Sequence, residues 1–167
     1  SEGLEEAAGE YGLGGAATRS AMDAIAQSSQ TRWYFLVDGV ETLHEVIRRT
    51  YPDAFTATTY EYCDRGADWS TYGQMRAGAK PAGIPKKSDP VPHASHEWFE
   101  SSPDYHFMSR IDTASTHQAC ALLAPDREHP LPTFLWVNYS LTDSAGHHAG
   151  PHGDEARQAL IDTDARL

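Results

Sequence analysis

At 167 residues the chain is about one domain long, and its 40% hydrophobic and 22% charged residues are ordinary for a soluble globular protein; no apolar run approaches the roughly 20 residues of a membrane helix. The formal charge of -11 argues against a surface that binds nucleic acid through its phosphates, because that contact needs clustered Lys and Arg. An anionic substrate would need a local positive centre, and nine histidines make a divalent metal the natural candidate.

Residues 1–30 are rich in Gly, Ala, Ser and acid and are poorly defined by pattern. Gly12 to Ala17 fits a dinucleotide-binding fingerprint by letter, but no apolar strand precedes it, so it reads as a Gly-rich turn. The acidic start has neither the basic nor the apolar part of a signal peptide, and the absence of an initiator Met leads us to expect a start inside a longer protein or after processing. Trp33 to Val37 reads as a strand ending in Asp38-Gly39. Glu41 to Thr50 reads as an amphipathic helix with Leu43, Val46, Ile47 and Thr50 on its inner face, stopped by Pro52. Phe55 to Tyr60 alternates and is rich in Thr and aromatics, a second strand. Strand, helix, strand is a β-α-β unit and predicts a parallel sheet.

Cys63 to Tyr72 reads as a polar connection, in which Asp64, Arg65 and Asp68 either line a pocket or form a charged turn. Residues 77–92, with four prolines and two glycines, read as a surface loop. Helices are expected around His96 to Glu100 and from Ser109 to Leu123, the second with a mixed face of Ile111, Ala114, Gln118, Ala121 and Leu122. Cys63 and Cys120 form no C-x-x-C pair and are expected to be buried thiols. The four tryptophans read as packing residues, and His93, His96, His106, His117 and His129 as groups without ligand spacing, most of them at the surface.

The last 35 residues organise the rest. Thr133 to Ser140 reads as a buried parallel strand, the stretch from Leu141 to Gly153 as a polar loop, and Asp154 to Leu167 as a helix with Ala156, Leu160, Thr163 and Leu167 in a stripe. Asn138-Tyr139-Ser140 matches a glycosylation pattern but falls in the strand, which argues against it. A loop at the carboxyl end of a parallel strand is where open α/β sheets place their ligands. In it, Asp143 and His147 offer one oxygen and one imidazole nitrogen to zinc or a similar ion, with His148 and His152 nearby as substrate-binding or further ligating groups. A solvated polar loop fits the same spacing.

Thr142-Asp143-Ser144-Ala145-Gly146-His147, followed by Gly150-Pro151, Glu155 and the helix ending Asp162-Thr163-Asp164-Ala165-Arg166-Leu167, resembles a segment of the alkaline phosphatase superfamily. The similarity is to its nucleotide pyrophosphatase/phosphodiesterase and phosphonoacetate hydrolase branch. It runs loosely from about Val40 to the end and is specific over the last third. The resemblance implies that residues 1–167 are part of a single α/β hydrolase-type catalytic domain with a mostly parallel sheet and flanking helices. It also implies a two-metal centre, with zinc the expected ion, in which Asp143 and His147 hold one ion, and a small-molecule phosphoester as substrate. Asp38 would stand where the family has a metal-binding Asp, although a strand-ending turn is the preferred reading. Ser70 or Thr71 lies at a nucleophile's distance in surroundings unlike the family's, so the nucleophile is expected outside this chain. The expected activity is hydrolysis of phosphate esters. Alternatives are a non-catalytic α/β module that binds a metal or anion, a transferase of the same superfamily, and a metal-free α/β domain.

Overall fold

The computed structural model describes residues 39–79 and 103–167. The expectations for residues 1–38, including the Gly12 turn, the Trp33 to Val37 strand and Asp38, lie outside the described residues, as do most of the 77–92 loop, the helix near His96, and His93.

The first described helix, α1 (Leu43–Thr50), starts where Thr42 and Glu45 cap one another. Thr42 Oγ1 accepts from Glu45 N at 3.1 Å, and Glu45 Oε2 accepts from Thr42 N at 2.8 Å, satisfying two helix-start donors at once. The inner face differs from the expected one. Leu43 and Thr50 are exposed, Val46 and Ile47 are half-buried, and His44 is fully buried with its ring edge-on to Phe134 at 5.3 Å. The reason is polar: Thr42 Oγ1 donates to Arg65 O at 2.6 Å and Arg65 Nε pairs with Glu45 at 2.8 Å, which fixes the rotation of the helix.

Strand β1 (Thr56–Thr59) is buried along its length and lies between β2 (Trp69–Ser70) and β3 (Phe134–Val137), parallel to both. Opposite residues run from Thr56 and Phe134 to Thr59 and Val137. The 63–72 connection is thus corrected, since it contains β2 and the start of helix α2 (Thr71–Arg76). Its charges are tied into the fold. Ser70 Oγ donates to Asp64, which also receives Arg76 at 2.6 Å, and Asp68 accepts from Thr56 N at 2.8 Å.

Helix α3 (Pro103–Leu123) starts earlier than expected and separates two layers. Ser115 meets Thr59 at 2.6 Å, so α3 covers the sheet face of Ala57 and Thr59, while the His44 contact with Phe134 puts α1 on the other. Toward the sheet it buries Ala114, Ser115, Gln118 and Leu122; Ala121 is exposed. On its far side Tyr105 packs with Leu141, Ala145, Ala156 and Ala159. The last four belong to helices α4 (Leu141–Ala149) and α5 (Asp154–Asp164).

The polar loop is therefore corrected to a helix and a turn. Leu141 and Ala145, four apart, give α4 a buried stripe, and Gly150-Pro151 ends it, a stop signal legible in the letters. The expected stripe of α5 is corrected too: Leu160 and Leu167 are 61% and 87% exposed, while Glu155, Ala156, Ala159 and Asp162 are buried. Asp162 accepts from the Tyr105 hydroxyl and from Gln158, and Arg166 reaches Ser109 Oγ at 2.6 Å, so hydrogen bonds turn this face inward. Two further corrections follow. Strand β3 is half-buried, with Trp136 39% exposed, and Cys63 is half-buried while Cys120 is exposed. The fold is α/β, an open parallel sheet with flanking helices. No helix among the described residues is long and apolar enough to cross a membrane.

Candidate functional site

The chain leaves the carboxyl end of β3 and enters α4 within three residues, each held from α3 or β1. Asn138 N donates to Thr59 O at 3.1 Å, its Nδ2 to Tyr60 O at 2.9 Å, and its carbonyl accepts from Ser115 Oγ at 2.9 Å. The Tyr139 hydroxyl meets Thr116 Oγ1 at 3.1 Å. Ser140 occupies the N-cap position of α4 but its side chain makes no capping bond. Asp112 supplies the cap from α3, accepting from Ser140 N at 2.7 Å and Leu141 N at 3.2 Å. Burial pushes the Asp112 carboxyl up to about 6, against the two N–H donors and Arg166, which favour its charged form.

With Leu141 and Ala145 inward, Asp143 and His147 fall on the outer face one turn apart, their side chains 80% and 83% exposed. His147 Nε2 lies 3.5 Å from Asp143 Oδ1. Two donors bound tetrahedrally to one zinc at roughly 2.0–2.1 Å each would stand about 3.4 Å apart, so the pair fits two positions of such an ion. Among the described residues no group of three His, Cys, Asp or Glu gathers closely enough to hold a metal. Any remaining ligands would come from elsewhere.

The structure separates the other candidates. His148 turns toward α5, its Nδ1 2.6 Å from Glu155 Oε2, whose side chain is only 8% exposed. His152 is exposed in the turn between α4 and α5. That turn depends on glycine twice. Gly150 has φ 79° and ψ 157°, a region essentially restricted to glycine, and a Cβ at Gly153 would stand 2.6 Å from the Ala149 carbonyl oxygen.

Neither hydroxyl considered as a nucleophile is free. Ser70 Oγ accepts from Gly73 N at 2.7 Å while donating to Asp64, and Thr71 Oγ1 accepts from Tyr60 N at 3.1 Å while donating to Gln118. Tyr60, which follows the central strand directly, has a positive φ of 51°. Of the scattered histidines, His117 is exposed, His106 is half-buried and held below the usual range by desolvation and then Arg110, and His129 stacks on Phe55 at 5.0 Å.

Sequence reasoning missed Asp112 and His44. Asp112 lies inside a helix pattern where a lone acid reads as solvated. His44 is buried with both ring nitrogens unpartnered, and desolvation lowers its pKa despite nearby Asp64, Asp68 and Glu61. No family model, curated protein or solved structure matches the chain.

Proposed function

We propose that this chain is part of a metal-dependent hydrolase of phosphate esters, of phosphodiesterase or nucleotide pyrophosphatase type. Its substrate is a small phosphoester and its cofactors are two divalent ions, zinc being the expected metal. The observation that supports this reading is the Asp143–His147 pair, whose 3.5 Å separation suits two ligands of one ion on an open helix face. Bound ions of this kind polarise the phosphoryl oxygens and stabilise the leaving oxygen in an in-line displacement.

The chain's own residues contribute binding and orientation. Asp143 supplies a carboxylate, and His147 supplies the Nε2 lone pair of a neutral ring. The helix keeps them one turn apart, and three residues separate its start from the carboxyl end of β3, the end at which open parallel sheets collect ligands, which supports the reading.

Hydrolysis of bis(4-nitrophenyl) phosphate by the complete enzyme in the presence of Zn²⁺ tests the reading. Asp143→Ala should lower turnover by at least about 100-fold, the scale for removing a group that fixes reacting charge. Unchanged turnover together with unchanged zinc content would overturn it. A non-catalytic metal- or anion-binding module is the second reading, favoured by the lack of a third gathered ligand among the described residues. Zinc binding lost in Asp143→Ala, without turnover in the unmodified protein, would select that reading.

A further inference from the structure

Three polar side chains are shut into the layer between α1 and the sheet with hydrogen-bonding capacity left over. The register sets Phe134 opposite Thr56 and Ser70 opposite Thr58, and residues two apart on a strand share a face, so Thr58, Ser70 and Phe134 point to the α1 side. His44 packs edge-on against Phe134, and Asp64 accepts from Ser70 Oγ, which brings both into that layer. His44, Thr58 and Asp64 are buried, and among the described residues both ring nitrogens of His44, Thr58 Oγ1 and Asp64 Oδ1 have no partner. A neutral imidazole offers one donor. Its protonated form offers two, which is the number that Asp64 Oδ1 and Thr58 Oγ1 can accept.

The charges around the ring also fall one short. Glu61, Asp64 and Asp68, all on the connection between β1 and β2, act on His44, with Asp64 the strongest of the three. Asp64 is paired with Arg76 and Asp68 with Arg48. The remaining charges of α1 pair off, Glu45 with Arg65 and Arg49 with Glu41, and strands β1 and β3 contain no charged residue. Three carboxylates against two guanidinium groups leave one negative charge, which a proton on His44 would cancel. Desolvation is what holds the ring below its ordinary range despite these carboxylates.

We propose that His44 is a proton-operated latch between two ways of docking α1 on the sheet. In the neutral state the imidazole packs edge-on against Phe134 of β3. In the protonated state it donates to Asp64 Oδ1 and Thr58 Oγ1, and α1 grips β1 and the β1–β2 connection in place of the Phe134 ring. Asp64 makes the new bond without giving up the old ones, because Ser70 and Arg76 both bind its other oxygen, Oδ2. The start of α2, capped by Ser70, therefore stays in place while α1 moves. The latch does not depend on the hydrolase reading.

Histidine side-chain NMR of the full chain between pH 8 and pH 4 tests this, with His44→Leu identifying the His44 signals. The ring should pass from a neutral form to the imidazolium as the pH falls, and the Phe134 ring signals should move with the same midpoint. Asp64→Asn keeps an oxygen for Ser70 and removes the charge. It should lower the midpoint by about one pH unit or more, the scale for an opposite charge within ~4–6 Å. A ring that stays neutral to pH 4 in the folded protein, or that titrates while Phe134 is unmoved, would overturn the latch. So would an unchanged midpoint in folded Asp64→Asn. The Phe134 readout uses the unmodified Asp64 and decides the matter if Asp64→Asn does not fold.

Discussion

His44 is the residue whose position most opposes its chemistry. A buried polar group without a partner costs about 1–3 kcal/mol, and both of its ring nitrogens are in that condition, with Thr58 Oγ1 similarly unpartnered on the central strand. Its neighbour Phe134 offers ring-edge packing and no hydrogen bond. Leucine has nearly the same volume and no polar atom. His44→Leu should therefore raise stability at pH 7 by ~1 kcal/mol, read as a higher urea midpoint with an unchanged slope. A lower midpoint would mean that the imidazole makes a contact worth more than its burial costs.

Among the elements, the α4–α5 hairpin depends most on backbone geometry. The two helices share the apolar cluster of Leu141, Ala145, Ala156 and Ala159, and the four residues between them must reverse the chain within that spacing. Gly150 does so with a conformation that side-chain-bearing residues rarely adopt. Gly150→Ala should destabilise the protein by about 1–3 kcal/mol even though no atom lies within 4 Å of the added methyl, because the cost is in the dihedral angles and not in contact. Thermal unfolding by circular dichroism checks this, and an unchanged midpoint would contradict the strain. Helix α1 shows the opposite case. Its capping box follows directly from Thr42 and Glu45, but its rotation was set by the ties from both residues to Arg65.

For the whole molecule, two buried titrating groups oppose each other. Asp112 is raised to about 6 from an unfolded value near 3.9, so its contribution to stability is fully present below about pH 4 and is lost as the pH rises through about 6. His44 is depressed, so its contribution is present above its unfolded value near 6.5 and is lost as the pH falls toward its folded value. Urea unfolding at pH 4, 5, 6 and 7 separates them. The stability of the unmodified protein relative to Asp112→Asn should fall by roughly 2–3 kcal/mol between pH 4 and 7, at about 1.4 kcal/mol per pKa unit. A difference independent of pH would show that Asp112 titrates alike in both states. By itself the sequence determined what local pattern controls: the α/β class, the strand at Thr56–Thr59, and helices α1, α3 and α5 in outline. Apolar periodicity could not reveal which helix faces turn inward, because polar bonds between distant segments turn Asp162 inward, leave Leu160 outside, and tie the start of α4 to Asp112. Only the tertiary structure decided those, since each bond joins groups that become neighbours after the chain has folded.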